Sequence, residues 1–537
     1  MRRTPIGGLA PALLLALVLA PAAPASPLLT LRADGTTFAR DDRTLPPVEA
    51  SLPAVRAAGA PRAARASRTS ARAAADKPTV RGELARMLAA GAIDRAFHDD
   101  KRAIYVNALG LRGRLSGARR AALGAALRNL EDIAASGGLT VSRLPALFET
   151  VARNRQWWSD GPLLNNGARV SFAGSRLVWQ FYAGEGLQIQ WLGTFGKANG
   201  LWQGGYDTSL RALLDEALAL AAQRAGGIAW EYLFRFDGGR PPWVSGLAQG
   251  TGLQAFSRAA VRFGEPRYFE AARAGLGIFR AAPPSGVRVA TPAGAHYLIY
   301  SFAPGLRVLN GFTQALNGLH DFGALANDAE GRALFAAGEA QLRGELARYD
   351  TGGWSRYALG GRDADVSYHM LARDFLRNLC ERLTQDAARA AAPPAAPATP
   401  GGGTAVPGVP TRGAAPVPAP APTPPLDPAP YCAAGERWTR YLTRPPVVRL
   451  VSRRARGGKP AVLKLMVSKP SKVTLRVRRG GRTVVVLGGQ LGSGARTLRW
   501  PSPPRSAASY KVLLHAQDLT GRNASGEATL RVLRARR

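Results

Sequence analysis

The chain has 537 residues and a formal net charge of +36, from 72 Lys and Arg against 36 Asp and Glu. That length allows two or three domains, because a single core rarely grows beyond roughly 250–300 residues. The basic excess favours polyanionic partners, although arginine, alanine, glycine and proline are abundant together, a bias that GC-rich coding also produces. Nucleic acid fits the charge but not the start of the chain.

Residues 1–25 read as a signal peptide. Arg2 and Arg3 form a basic start, Ala12 to Ala20 is a short apolar run, and Ala23-Pro24-Ala25 supplies a small-x-small cleavage site. The run is shorter than the roughly 20 apolar residues that span a bilayer. The chain is therefore expected to be secreted or extracellular, with the envelope as a further place of residence. Residues 26–76 are rich in Ala, Arg, Pro and Ser without sustained periodicity, and are expected to be disordered.

From residue 77 the texture is helical. Ala118 to Ala134 and Leu144 to Ala152 carry helical apolar spacing. Val170-Ser171-Phe172 and Leu177 to Phe181 read as a small inserted β-hairpin turning at Gly174. An array of helices follows. Leu210, Leu213, Leu214, Ala217, Leu218 and Ala221 form one stripe, and further helices are expected at Leu247–Phe263, Arg267–Arg280, Phe312–Leu325, Glu330–Arg348 and Ser367–Leu383. Helices alternating with short turns suggest stacked antiparallel pairs, as in an α/α toroid. Residues 387–430, dominated by Pro, Ala, Gly and Thr, read as a linker. From about Tyr431 short turn-punctuated strands indicate a β-sandwich of immunoglobulin type over 431–537. This module is strongly basic, and Arg476 and Arg478 fall on one face of an alternating strand. The two cysteines, Cys380 and Cys432, are either paired or separate thiols, and the sequence leaves both open. Two cysteines and five scattered histidines make no zinc pattern. No phosphate-cradling or dinucleotide glycine motif is present, so no metal or cofactor is implied.

The informative stretch is Tyr300 to Leu383. It holds Tyr300, then Val308-Leu309-Asn310-Gly311-Phe312, then Tyr349-Asp350-Thr351-Gly352 with Arg356-Tyr357 beyond it, then Tyr368-His369. Upstream lie Trp243 to Gly250, with Ala248-Gln249-Gly250 at its end, and Gly186-Leu187-Gln188-Ile189-Gln190-Trp191. The order and spacing of these blocks over Leu177–Leu383 resemble the C-terminal domain of the D-glucuronyl C5-epimerases. The strand pattern Arg496 to Trp500 with Tyr510 to Val512 resembles the small sandwich of flagellar hook-capping proteins.

The first resemblance implies an isomerase that converts D-glucuronate to L-iduronate within an anionic polysaccharide of the heparan-sulfate or glycosaminoglycan kind. It places catalytic tyrosines at Tyr300, Tyr357 and Tyr368. It also implies sugar-binding roles for Asn310, Arg356, His369, Gln249 and Trp243. Ile299 and Ser367 stand where the family carries acids, and Met370-Leu371-Ala372 replaces its Thr-Thr-His. The chemistry suits tyrosine. Proton removal next to a carboxylate needs that carboxylate neutralised, and two acid/base groups on opposite faces of the sugar. Tyr357 or Tyr368 is expected to carry the proton and Tyr300 to orient the ring; Arg307, Arg356 and Arg373 are the nearby cations. His369 reads equally as a base and as a structural histidine; His296 and His320 read as structural or exposed. Trp157, Trp158, Trp191, Trp202 and Trp243 read mostly as core, with sugar stacking as the other role.

Two rival readings share these residues. A uronate polysaccharide lyase begins with the same proton abstraction, and a non-catalytic envelope glycan-binding protein needs only the basic surface. The expected partners are an anionic uronic-acid polysaccharide and, through the basic module, a cell-envelope polyanion, but no nucleic acid. Oligomeric state is left open, although family members are often dimers. The resulting map is a multidomain, mainly α chain: signal 1–25, disordered 26–76, epimerase-like domain 77–386, linker 387–430 and sandwich 431–537. All the motifs precede the linker, so the sandwich is expected to be dispensable for the chemistry.

Overall fold

A computed structural model describes residues 26–46, 77–391 and 426–535 of the chain. The signal segment and most of the expected linker lie outside these residues, as does 47–76 of the expected disordered segment.

The first described residues correct the sequence reading. Ser26–Leu31 and Thr37–Asp42 are antiparallel strands, and the first of them pairs in parallel with Arg169–Phe172, Leu29 opposite Val170. The expected hairpin is thereby one part of a five-stranded sheet that continues through Trp179–Tyr182 and Gly186–Ile189. Leu28 and Leu45 pack on Val178, and Leu31 enters the main core. The partner strand lies about 140 residues away, so no local periodicity announces the pairing. The segment after the second strand then crosses a helix. A Cβ on Gly200 would sit 2.3 Å from the Thr44 carbonyl, so the backbone passes there only because residue 200 has no side chain.

Four helices open the helical unit: Val80–Ala89, Arg95–Arg114, Gly117–Ala135 and Leu144–Asp160. Four helix pairs follow the sheet. Trp191–Gly204, Gly246–Phe263, Leu309–Leu325 and Val366–Ala391 form an inner row. Asp207–Ala219, Pro266–Ala274, Ala329–Glu345 and Ala429–Thr443 pack behind them. The inner helices run parallel, because their cross-contacts rise together: Thr251 meets Gln314 and Arg258 meets Asp321, while Asn317 meets Phe375 and Asp321 meets Arg382. The first two start under side-chain caps, the Gln190 amide oxygen on the Gly193 amide and the Ser245 hydroxyl on the Ala248 amide. Gly205 and Gly264, at φ 73° and 66°, end the first two.

The last outer helix is a second correction. Residues 431–443 were expected to begin the sandwich, but they complete the fourth helix pair. Tyr431, Ala434, Trp438 and Tyr441 recur at three- and four-residue spacing and are buried in the helical core. Cys432 is disulfide-bonded to Cys380 on the facing inner helix. Strands begin at Val448–Leu450. One sheet has Ala461–Val467 between Val448–Leu450 and Gly494–Trp500. The other runs in the order Arg454–Arg456, Asn523–Leu533, Ala508–Asp518, Ser471–Arg479, Arg482–Leu491. Alternate residues of both, among them Leu463, Leu465, Val473, Leu475, Val512 and Leu530, form one core separate from the helical one.

This sheet module is docked on the helical unit. Lys469, buried, donates to the Tyr441 and Arg444 carbonyls at the end of the last helix and pairs with Asp518 at 2.5 Å. A cation there complements the negative end of a helix.

Two outcomes follow from the fourth pair. A chain ending at Ala391 loses the helix that covers its last inner helix, and is expected to melt well below the full chain by circular dichroism. The double substitution Cys380→Ser, Cys432→Ser opens a cross-link spanning 52 residues, and is expected to cost about 4 kcal/mol in chemical denaturation by loop-closure entropy. An unchanged midpoint in either experiment contradicts this packing.

Candidate active site

The four inner helices and the five-stranded sheet enclose a cavity of about 1160 Å³. Its lining on the last inner helix runs from Leu371 to Arg389, about 27 Å at 1.5 Å per residue. One wall is aromatic. Trp243 stacks on Tyr232 with ring centroids 4.2 Å apart, and its indole N–H donates to the Phe234 carbonyl at 2.8 Å. Tyr300 meets Trp243 edge-on at 5.5 Å and lies parallel to Phe302 at 5.2 Å. Trp243 and Tyr300 therefore both line the cavity, as does Trp202. Trp157, Trp158 and Trp191 are core.

The opposite part of the cavity is polar. Arg382 holds Asp321 through two nitrogens at 2.5 and 2.8 Å, Arg258 approaches it to 3.3 Å, and Gln254 donates to it at 2.9 Å. Burial alone would raise the Asp321 carboxyl. Arg382, His320 and Arg258 outweigh that and hold it far below the ordinary carboxylate range. Burial likewise works against a charge on His320, but its bonds to Asp321 and Asp386 outweigh it and raise the imidazole above its usual value. The motif comparison missed this cluster. Its signal was present: Thr251, Gln254, Arg258 and Gln314, Asn317, Asp321 are polar stripes at three- and four-residue spacing on helices otherwise buried all round.

Tyr357 and Tyr368 come together beside this cavity rather than in its lining. Both are nearly buried, 5% and 3% exposed, and their rings meet edge to face with centroids 4.8 Å apart. Tyr357 is carried by an irregular strand. Its carbonyl accepts from the Leu309 amide at 3.3 Å, and its own amide donates to Arg362 at 3.0 Å. Tyr368 opens the last inner helix, its amide capped by the Asp365 carboxylate at 2.9 Å. One turn on, Leu371 lines the cavity. Tyr300 reaches the same region from the other side. Its neighbour Ile299 packs on Gly311, where a Cβ would lie 3.0 Å away. The Tyr300 and Tyr357 segments thus abut the first turn of Leu309–Leu325, and Tyr368 joins them through its ring contact with Tyr357. In that turn Asn310 is buried, its Oδ1 accepting from the Gly311 amide at 2.7 Å. Its Nδ2 has no hydrogen-bond partner among the described residues. Arg362, which the sequence reading passed over, places its guanidinium 5.8 Å from the Tyr357 ring centre.

Three expected binding residues have other work. Gln249 accepts from the Trp230 amide and donates to the Ile228 and Gly275 carbonyls, tying its helix to the turns behind it. Arg356 donates to the Gly361 carbonyl at 3.2 Å within its own loop. His369 is fully buried, away from the cavity. Its Nδ1 meets the Ser355 hydroxyl at 2.8 Å, its Nε2 meets the Trp438 carbonyl at 3.1 Å, and its ring stacks on Trp354. For Gln249 and His369 the physical reason is burial, since a polar group taken out of water is spent on protein partners, whereas Arg356 is only partly buried. Arg307 is paired with the buried Glu345 and Arg373 with Asp374. His296 is structural, bonded to Glu345 at 2.8 Å. Among the described residues no group of three or more His, Cys, Asp and Glu is placed to hold a metal ion, and no helix is long and apolar enough to cross a membrane.

The model of the family described as "D-glucuronyl C5-epimerase C-terminus" matches residues 225–390. A D-glucuronyl C5-epimerase from Caenorhabditis elegans is 33% identical over 132 residues, which is 22% of this chain and 21% of that protein. The chain thus matches about a fifth of the length of that relative. Among solved structures, the unsaturated glucuronyl hydrolase of Bacillus sp. GL1 is 14% identical with a TM-score of 0.29, over 47% of this chain and 60% of its own. The endo-β-1,4-glucanase CMCax of Acetobacter xylinum is 13% identical with a TM-score of 0.27, over 37% and 69%.

The burial of His369 has a measurable consequence. Burial pushes its pKa from 6.5 down to about 4, so the unfolded chain takes up this proton at a higher pH than the folded one. The resulting stability is complete above pH 6.5 and is lost as pH falls towards 4, by about 3 kcal/mol. Urea denaturation of the full chain and of His369→Gln at pH 7 and pH 4.5 is expected to show a smaller difference in the variant. Equal differences would place a solvent-accessible imidazole at 369.

Proposed function

We propose, from the premise that residues 225–390 belong to the D-glucuronyl C5-epimerase family, that this chain inverts C5 of uronic-acid residues in an anionic polysaccharide. The observation that carries the reading is the buried contact of Tyr357 with Tyr368 at the helix turn shared with Asn310. It lies beside a cavity whose wall holds Tyr300. Two phenols in edge contact cannot sit on opposite faces of one pyranose. The pair therefore supplies one proton carrier, and Tyr300 supplies the other from across the ring. Of the two roles open to Tyr300, catalytic and mainly orienting, this reading takes the catalytic one. The reaction moves the C5 proton to one tyrosine as its phenolate and returns a proton from the phenol of the other on the opposite face, so that the two exchange protonation states and chain length is unchanged. The sugar carboxylate must be neutralised while the carbanion exists. At this turn Asn310 keeps a buried Nδ2 with no hydrogen-bond partner among the described residues, and the Arg362 guanidinium lies 5.8 Å from the Tyr357 ring centre.

The cavity suits the rest of such a polymer. Its aromatic wall offers faces for sugar rings, and Arg43, Arg169, Arg258, Arg382 and Arg389 outnumber Asp321 and Glu381 in its lining. The finer architecture we assign is an α/α toroid-like helical unit with an immunoglobulin-like sandwich attached. Export fits both the leader-like start of the chain and the Cys380–Cys432 disulfide, since disulfides persist in oxidising compartments.

The test is proton NMR of a glucuronate polymer such as heparosan with the full chain in heavy water. Deuterium entering C5 without new ends marks an epimerase. Unsaturated, ultraviolet-absorbing ends mark the lyase, and binding without exchange marks a glycan-binding protein. Tyr300→Phe and Tyr368→Phe keep the ring and remove the proton-carrying oxygen. Each is expected to lower exchange about 10²–10⁴-fold while the protein folds and binds. Full exchange in both variants returns these tyrosines to the aromatic core.

A further inference from the structure

The loop that carries Tyr357 is gripped by the sheet module. Internally it is a double-bridged hairpin, Asp350 paired with Ser355 and Arg356 with Asp363. Asp363 therefore lies across the ladder from the residue next to Tyr357. Its carboxylate leaves the helical unit altogether. It accepts the Ser493 amide at 2.5 Å and the Ser493 hydroxyl at 2.7 Å. Ser493 is buried and sits in the turn between strands Arg482–Leu491 and Gly494–Trp500. On the other arm of the loop, Gly353 rests on the Ser468 carbonyl so closely that a Cβ would lie 2.3 Å from it. The Lys469 ammonium lies 5.7 Å from the Trp354 ring centre. These two grips are neighbours in the module, because Val467 pairs with Gly494 across its smaller sheet. One edge of the module thus holds residues 353–354 and 363, and Tyr357 lies between them.

We infer that this edge of the sheet module is a positioning element of the active site, with Ser493 acting through Asp363 to fix the strand that presents Tyr357. Bonds from a backbone N–H and a hydroxyl to one carboxylate are charge-assisted and short, about twice as strong as neutral ones. A reacting group misplaced by about 1 Å can lose on the order of 10²-fold in rate. Ser493 is a positioning residue: it does not line the cavity and acts through Asp363. The inference rests on Tyr357 belonging to the reacting centre, and it reverses the expectation that residues beyond the linker are dispensable for the chemistry.

The experiment measures C5 deuterium exchange on heparosan by the full chain and by Ser493→Ala, Asp363→Ala and the double variant, with melting midpoints alongside. Each single variant is expected to lower kcat on the order of tenfold with KM and midpoint near those of the parent. The double variant is expected to lose no more than Asp363→Ala alone, because the two groups act as one contact. Where Asp363→Ala does not fold, Asp363→Asn keeps the shape, weakens the contact and carries the same reading. Unchanged kcat in the single variants, a loss confined to KM, a loss that follows the melting midpoint, or additive losses each overturn the inference while leaving exchange by the parent intact. Absence of exchange by the parent overturns the epimerase reading, and this inference with it.

Discussion

Much of this structure depends on one partly buried carboxylate, that of Asp350. It accepts Arg437 Nε at 2.7 Å, the Trp438 indole N–H at 3.0 Å, the Tyr441 hydroxyl at 3.1 Å and the Gly352 amide at 2.8 Å. Burial works against its charge, but Arg437, Gly352 and Trp438 outweigh burial and hold the carboxyl below its ordinary range. Three of those donors lie on Ala429–Thr443, beyond the proline-rich stretch. Asp350 therefore decides that this helix returns to the helical unit. Once it docks, Trp438 closes over His369, Cys432 meets Cys380, and the end of the helix offers its carbonyls to Lys469. The sheet module is then delivered against the Tyr357 loop. Leaving such a carboxylate without its partners would cost far more than any one bond contributes, which makes the docking specific as well as stable.

A second buried network has no such structural excuse. Asp321 with Arg258 and Arg382 occupies the interior of the helical unit, where apolar side chains of the same volume would pack at no electrostatic cost. The surrounding residues Gln254, Gln314, Asn378 and Gln385 are polar as well, and all face a cavity. Polar groups kept at this depth, opposite an aromatic wall, suit recognition of a ligand better than they suit stability. The glycines of the inner helices serve the same end. A Cβ on Gly318 would fall 1.9 Å from the Gly250 carbonyl, so the second and third inner helices approach at backbone contact.

Motif residues divide by what surrounds them. Gln249, Arg356 and His369 belong to blocks that the family match covers, yet each is committed to protein partners. They build the frame that holds Tyr300, Tyr357 and Tyr368. Asn310, in the same kind of block, keeps a buried donor uncommitted at the turn where the tyrosine segments meet. A motif names which residues matter together, while burial and hydrogen-bond accounting separate those that face a ligand from those that hold the frame.

Local sequence determined the helices and their order, because a stripe of apolar residues at three- and four-residue spacing must bury one face wherever it lies. Leu210 to Ala221, Leu247 to Phe263 and Phe312 to Leu325 were legible in that way, as were the alternating strands from Val462 onward. The series Val308 to Phe312, Tyr349 to Gly352 and Tyr368-His369 carried the resemblance to the D-glucuronyl C5-epimerases and the candidate tyrosines. Only the tertiary structure decided the rest, since each remaining feature is a contact between residues far apart. The strand Ser26–Leu31 is a strand because Arg169–Phe172 lies beside it. Ala429–Thr443 is a fourth outer helix because Asp350 and Cys380 receive it. The partners of His369, Ser355 and Trp438, lie fourteen and sixty-nine residues away. Periodicity reports which face of an element is buried, but not which distant element covers it. That partner is fixed by packing and by the satisfaction of buried polar groups, which a single stretch of sequence does not contain.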